Sequence, residues 1–217
     1  MEFIGPPAVG KSFLISMVAK QGNLRKMRLE AGASMRGQAI SAGDLRVAAQ
    51  ALHDVTGNSL ELNWQDLETG FTNAARQLNY LKEDALIRQM SGAFLLDETG
   101  LFRKFRPQVQ SLLSQGRPED LDFLRRLLAR RVLVHVVAAP ETISDRLRDR
   151  ALSGEKSRDR RDVAFGDELS GRIQERLDRN ERFIQQIAEL GTGRFIRVDT
   201  EHDLAGAAAD ILRAMKT

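Results

Sequence analysis

At 217 residues the chain is long enough to bury a good core as one domain, and 42% apolar with 29% charged residues is an ordinary soluble composition. The lack of cysteine excludes a disulfide framework and zinc–thiolate sites, and no apolar run approaches the ~20 residues of a membrane span. The net charge of +3 is small: residues 41–100 sum to −5, 101–131 to +5 and 141–182 to zero, so arginines alternate with carboxylates instead of forming the sustained basic face of a nucleic-acid binder.

The short apolar run Phe3-Ile4 leads directly into Gly5-Pro6-Pro7-Ala8-Val9-Gly10-Lys11-Ser12. This stretch fits G-x-x-x-x-G-K-[ST] at every fixed position, and a helix-like segment over 12–20 follows. The motif works only at such a strand-to-helix turn. Its glycines let the backbone curl until several N–H groups point inward at a polyphosphate, and the helix adds its positive end. Lys11 then reaches the β- and γ-phosphates, and the Ser12 hydroxyl holds Mg²⁺. Gly5, Pro7, Ala8, Val9, Gly10, Lys11, Ser12 and Phe13 are the expected nucleotide-binding residues. The first residues run straight into this turn, which reads as a chain without a signal peptide, in the cytoplasm.

Further along, a second strand is expected near 27–31, and apolar residues at helical steps predict helices over 41–55 and from Asn63 to about 90. Trp64, in the first turn of the latter, reads as a packing anchor. Ala93-Phe94-Leu95-Leu96 reads as a short buried strand, followed by Asp97-Glu98. A carboxylate there is where a phosphate-loop enzyme places a magnesium ligand: Asp97 is expected to bind Mg²⁺ and Glu98 to orient or deprotonate the attacking group, with Asp97 and Asp44 as other possible bases. Helices are predicted over 107–114 and 118–130, the second opening on proline with acids behind it. Strands over 132–138 and 194–198 are each followed by a helix, over 141–152 and 201–215. Alternating strands and helices argue for an α/β fold, a parallel sheet of about five strands covered on both faces. The three histidines show no metal-ligand spacing, and His135, inside an apolar strand, reads as a satisfied core residue.

The order of these motifs, ending in Ala138-Ala139-Pro140-Glu141-Thr142-Ile143-Ser144-Asp145-Arg146-Leu147-Arg148-Asp149-Arg150, resembles the P-loop small-molecule kinases: nucleoside monophosphate, shikimate and gluconate kinases and their relatives. The resemblance implies a three-layer P-loop NTPase domain over 1–217, with a helical acceptor-side insertion at about 41–91 and an arginine-bearing lid at about 151–170. It implies that Arg146 lies against the adenine and Arg150 reaches the phosphates. Arg158, Arg160 and Arg161 would close over the moving phosphoryl group, and Asp199-Thr200 would lie beside the base. Guanidinium suits both stacking and the spreading of charge on a phosphoryl group. Arg172, Arg176, Arg179 and Arg182 read instead as helix-face ion pairs with acids three or four residues away.

An acceptor motif after the phosphate loop is missing, and Asp97-Glu98-Thr99-Gly100 departs from the relatives' sequences. The reading is therefore a kinase moving the γ-phosphoryl of ATP, with Mg²⁺, to a small anionic, sugar or nucleotide-type acceptor, as a monomer or homodimer. Arg36 and the run 103–106 are candidates to hold that acceptor, the run reading equally as a solvated helix start. The alternative is an ATP-hydrolysing switch acting through a protein partner, which Glu98 after Asp97 would suit. No Asn-Lys-x-Asp box supports a GTPase.

Overall fold

The computed structural model describes residues 1–27, 93–96, 101–104, 106–129, 131–153, 166–201 and 203–216. Strands β1 (Glu2–Ile4), β2 (Arg25–Met27), β3 (Phe94–Leu96), β4 (Val132–Val137) and β5 (Arg194–Asp199) form one sheet in the order β2-β3-β1-β4-β5, with every neighbouring pair parallel. The helices are α1 (Lys11–Gly22), α2 (Leu101–Lys104), α3 (Arg106–Gln115), α4 (Pro118–Leu128), α5 (Pro140–Ser153), α6 (Leu169–Ala188) and α7 (Leu204–Lys216). A 3₁₀ turn over Gly166–Glu168 leads into α6.

Parallel strands covered on both faces need apolar side chains pointing both ways, which explains the unbroken run of β4: Leu133, Val134, Val136 and Val137 are all buried. One core cluster joins α1 (Leu14, Ile15, Val18) and α7 (Ala207, Ala208, Ile211) to the sheet, and reaches Ile143 and Leu147 of α5 and Ile173 and Leu177 of α6. A second packs Phe102, Val109, Leu112, Phe123, Leu124 and Leu127 against Ile4, Leu133 and the distal half of α6. The buried positions of α6, Leu169, Ile173, Leu177, Asn180, Ile184 and Ile187, recur at three- and four-residue steps, so one stripe is buried while charges occupy much of the rest.

Helix ends follow local chemistry. α1 stops at Asn23, whose φ of 49° is left-handed and whose N–H donates to the Ala19 carbonyl. α4 opens on Pro118 with Glu119 and Asp120 in its first turn, and Arg117 Nε lies 2.7 Å from the buried Asp120 carboxylate. Buried Glu2 ties β1 to α2: its Oε1 accepts the Arg103 N–H at 2.6 Å, and its Oε2 faces the buried Arg131 at 3.7 Å. Burial pushes the Glu2 carboxyl up and the Arg131 guanidinium down, and each charge partly offsets the shift of the other.

The strand expected near 27–31 starts earlier, at Arg25, and pairs with β3 over Arg25–Met27. Residues 28–31 lie outside the described residues, as do the two helices expected over 41–90. The long helix α6 is an addition to the predicted elements.

Candidate active site

The turn between β1 and α1 lies at the carboxyl edge of the sheet, where open α/β folds bind ligands. Gly5 passes so close to β4 that a Cβ there would lie 2.6 Å from the Val136 carbonyl oxygen, which only glycine avoids. The chain then takes left-handed φ at Ala8 (58°) and Gly10 (98°), and these reversals curl the loop. Gly10 is the N-cap of α1; it supplies no side-chain cap, and the first turn holds no acid. The N–H groups of that turn thus have no capping side chain, and the helix end carries about half a positive charge. An anion is the natural complement. Lys11 folds its ammonium over the loop, where Nζ donates to the carbonyls of Gly5 at 2.7 Å and Pro6 at 2.5 Å. Ser12 and Phe13 are exposed on the same turn, Phe13 at 58%, whereas Val9 is fully buried and anchors the loop in the core.

Two residues far away in sequence, Thr200 and Arg146, hold this loop from behind, and their neighbours Glu201 and Asp199 brace the turns around them. Thr200, 1% exposed, donates its hydroxyl to the Val9 carbonyl at 2.6 Å, and its N–H continues the ladder to Val137 at 3.0 Å. Arg146, on α5, donates to the Thr200 carbonyl at 2.9 Å, to Thr200 Oγ1 at 3.3 Å and to the Val9 carbonyl at 3.5 Å. Glu201 Oε1 accepts the Ala139 N–H at 3.0 Å and the Thr142 hydroxyl at 2.8 Å, and so caps the start of α5. Asp199 Oδ1 accepts the Glu201 N–H at 2.8 Å and shapes the turn after β5. The latch thus locks three strand ends and α5 around the phosphate loop. Glu201 is the member that the sequence reading missed; its partners are about 60 residues away, beyond any local pattern.

Arg150 sits one turn beyond Arg146 on α5, half-buried and on the same side of the helix. Lys11, Ser12, Arg146 and Thr200 therefore cluster at the carboxyl end of the sheet. Asp97, Glu98 and Arg158, together with Arg160, Arg161, Arg36 and Asp44, lie outside the described residues.

Two expectations about side chains need correction. Arg172 does pair with Glu168, at 3.4 Å. Arg179 and Arg182, in contrast, have no ion pair among the described residues: Arg179 Nε turns to the Glu175 main-chain carbonyl at 3.3 Å, and the Asp178 carboxylate is taken by Gln174 at 2.7 Å. Both instead line a cleft between α3 and α6, of about 440 Å³, with Arg106, Gln110, Arg176, Asn180 and Gln186. His135, expected to be satisfied in the core, is half so. Its Nδ1 meets Glu181 Oε2 at 3.2 Å, while its buried Nε2 has no partner among the described residues. Burial holds this imidazole below its usual pKa, with Glu181 opposing and Arg197 assisting.

No family model matches the chain, and a search of curated proteins finds no match either. Among solved structures, deoxyadenosine kinase from M. mycoides with bound dATP superposes with a TM-score of 0.51 at 14% identity, covering 100% of this chain and 98% of that one. The same enzyme with bound dCTP gives 0.46 at 15% identity, covering 100% and 99%, a value too low to add to the comparison. The likeness is one of architecture: this chain shares that protein's α/β fold, here a five-stranded parallel sheet with helices.

Proposed function

We propose that the chain is an ATP-dependent small-molecule kinase that transfers the γ-phosphoryl group of ATP to a nucleoside, nucleotide or sugar-type hydroxyl. The observation that carries this reading is the start of α1: uncapped, acid-free, preceded by left-handed turns at Ala8 and Gly10, and overhung by the Lys11 ammonium. Backbone N–H groups and one lysine are what a polyphosphate needs, and phosphoryl transfer asks mainly for positioning and charge neutralisation. Deoxyadenosine kinase, a structural neighbour, makes nucleosides the first acceptors to test.

Under this reading the Lys11 ammonium leaves the Gly5 and Pro6 carbonyls for the β- and γ-phosphates, and the main-chain N–H groups from Val9 to Phe13 hold the rest of the triphosphate. Mg²⁺ neutralises charge on the β- and γ-oxygens when bound with the nucleotide. Ser12 fits such an ion, because its hydroxyl is a hard oxygen donor, exposed, on a helix end with no competing acid; Asp97 would be its second protein ligand. Arg146, tied to Thr200 and Val9, would set the wall beside the base together with Asp199. Arg150 and Arg158 would spread the charge that develops on the transferred group, and Glu98 would take the proton of the attacking hydroxyl.

The experiment follows ADP formation from Mg²⁺–ATP across nucleosides, nucleoside monophosphates and sugars. A kinase shows a rate that rises many-fold with one acceptor, and a phosphorylated product. A rate indifferent to every small molecule contradicts the kinase and favours an ATP-hydrolysing switch.

A further inference from the structure

The cleft between α3 and α6 is built differently from the rest of the surface. Exposed arginines on this protein's helices are commonly neutralised by an acid three or four residues away, as in Arg125–Asp122, Arg148–Asp145, Arg172–Glu168 and Arg213–Asp210. Among the described residues, Arg106, Arg179 and Arg182 make no such ion pair, and no carboxylate lines the cleft with them. Arg106 is held in place: its guanidinium stacks 4.8 Å from the Phe183 ring centre, NH1 donates to Asn180 Oδ1 at 2.6 Å, and NH2 donates to the Arg179 carbonyl. Those two bonds take two of its five donors. Burial and then repulsion from Arg179 and Arg182 hold the Arg106 guanidinium below its usual pKa, so the cluster is an excess of positive charge without a counter-charge among the described residues.

The geometry points to a second anion site here, separate from the phosphate loop, that takes the dianionic phosphate group of a small phosphate monoester. A volume of about 440 Å³ suits a small molecule. Several planar guanidiniums converging from two helices match a tetrahedral, doubly charged oxyanion better than a single carboxylate. The Gln110 and Gln186 amides on the same walls offer neutral donors and acceptors for hydroxyl groups, which an ester carries and free phosphate does not. The inference does not depend on the kinase reading, since none of these residues touches the β1–α1 turn in the contacts described above.

The test uses the full chain carrying Lys11→Ala, which silences the phosphate loop, and titrates ribose 5-phosphate, orthophosphate and ribose by calorimetry at fixed ionic strength. One saturable site is expected for the phosphates and none for ribose. A tighter ribose 5-phosphate assigns the site to a phosphorylated small molecule, and equal affinities assign it to free phosphate; both support a phosphate site. Arg179→Gln/Arg182→Gln is expected to weaken binding by at least about tenfold. If that double variant melts early, Arg182→Glu alone, an exposed charge reversal, must give a loss of the same order. Absence of saturable phosphate binding in the Lys11→Ala chain, or an affinity unchanged in the charge variants, overturns the proposal. ATP binding to the wild type is measured separately, so a failure of either site is told apart from a failure of the other.

Discussion

The turn before α1 and the arginine cleft are both proposed to bind anions, yet they are made from opposite materials. The loop uses main chain: N–H groups of one turn, a helix end, and side chains that mainly hold the backbone in place, such as Thr200 on the Val9 carbonyl. The cleft uses side chains: guanidiniums from α3 and α6, 70 or more residues apart, converge on one volume. A backbone site is set by a contiguous run of residues, so glycines and a lysine at fixed spacing announce it. A side-chain site of this kind is set by how two helices pack, and no window of sequence contains it.

That difference also separates what was legible from what was not. Gly5 and Gly10 could be read in place because the curl of the turn follows from conformations of their own backbone. The strand over Val132–Val137 was legible because a parallel strand buried on both faces needs an apolar or β-branched run, and Phe94–Leu96 and Arg194–Asp199 carry shorter or interrupted runs of the same kind. The stripe of α6 was obscured by the charges between its apolar positions, which read as ion pairs before they read as one face of a helix. Arg179 and Arg182 had suitable acids at helical spacing, Glu175 and Asp178, but Arg179 turns to the Glu175 main-chain carbonyl and Asp178 accepts from Gln174. Spacing allows an ion pair; competition from other partners decides whether it forms. Likewise the motif suggests stacking for Arg146, whereas its hydrogen bonds make it a tie between α5, Thr200 and the turn before α1.

Changes to the loop should affect nucleotide chemistry far more than changes to the cleft. The largest effect belongs to Lys11→Ala, which is expected to cut ATP turnover by at least about 10²-fold while circular dichroism and the melting temperature stay near wild type. Gly5→Ala comes next, because its Cβ would meet the Val136 carbonyl at 2.6 Å; a loss of about 1–3 kcal/mol in urea denaturation is expected, with ATP affinity falling too. Thr200→Val removes the hydroxyl that latches Val9 and leaves that buried carbonyl a donor short, at a cost of about 1–2 kcal/mol. Its Kd for ATP should rise while the cleft's affinity for phosphate stays unchanged.

A pH series sharpens the comparison from the side of the core. His135 titrates below its usual 6.5 when folded because burial disfavours the imidazolium. The unfolded chain therefore takes up its proton first, and stability falls as pH drops below about 6.5 towards the folded value. The urea midpoint of His135→Gln should lose less than that of the wild type between pH 7.5 and 5.5. The smallest effect is expected from Arg182→Gln on ATP: a Kd within about twofold of wild type, since only weak screened electrostatics links the two sites.

The most direct test of the central claim is calorimetric titration of an unhydrolysable ATP analogue into wild-type protein and Lys11→Ala, with and without Mg²⁺. A phosphate-binding turn at the start of α1 predicts one magnesium-dependent site in the wild type and its loss or severe weakening in the variant. Equal affinity in both proteins, or no magnesium-dependent binding in either, would contradict it.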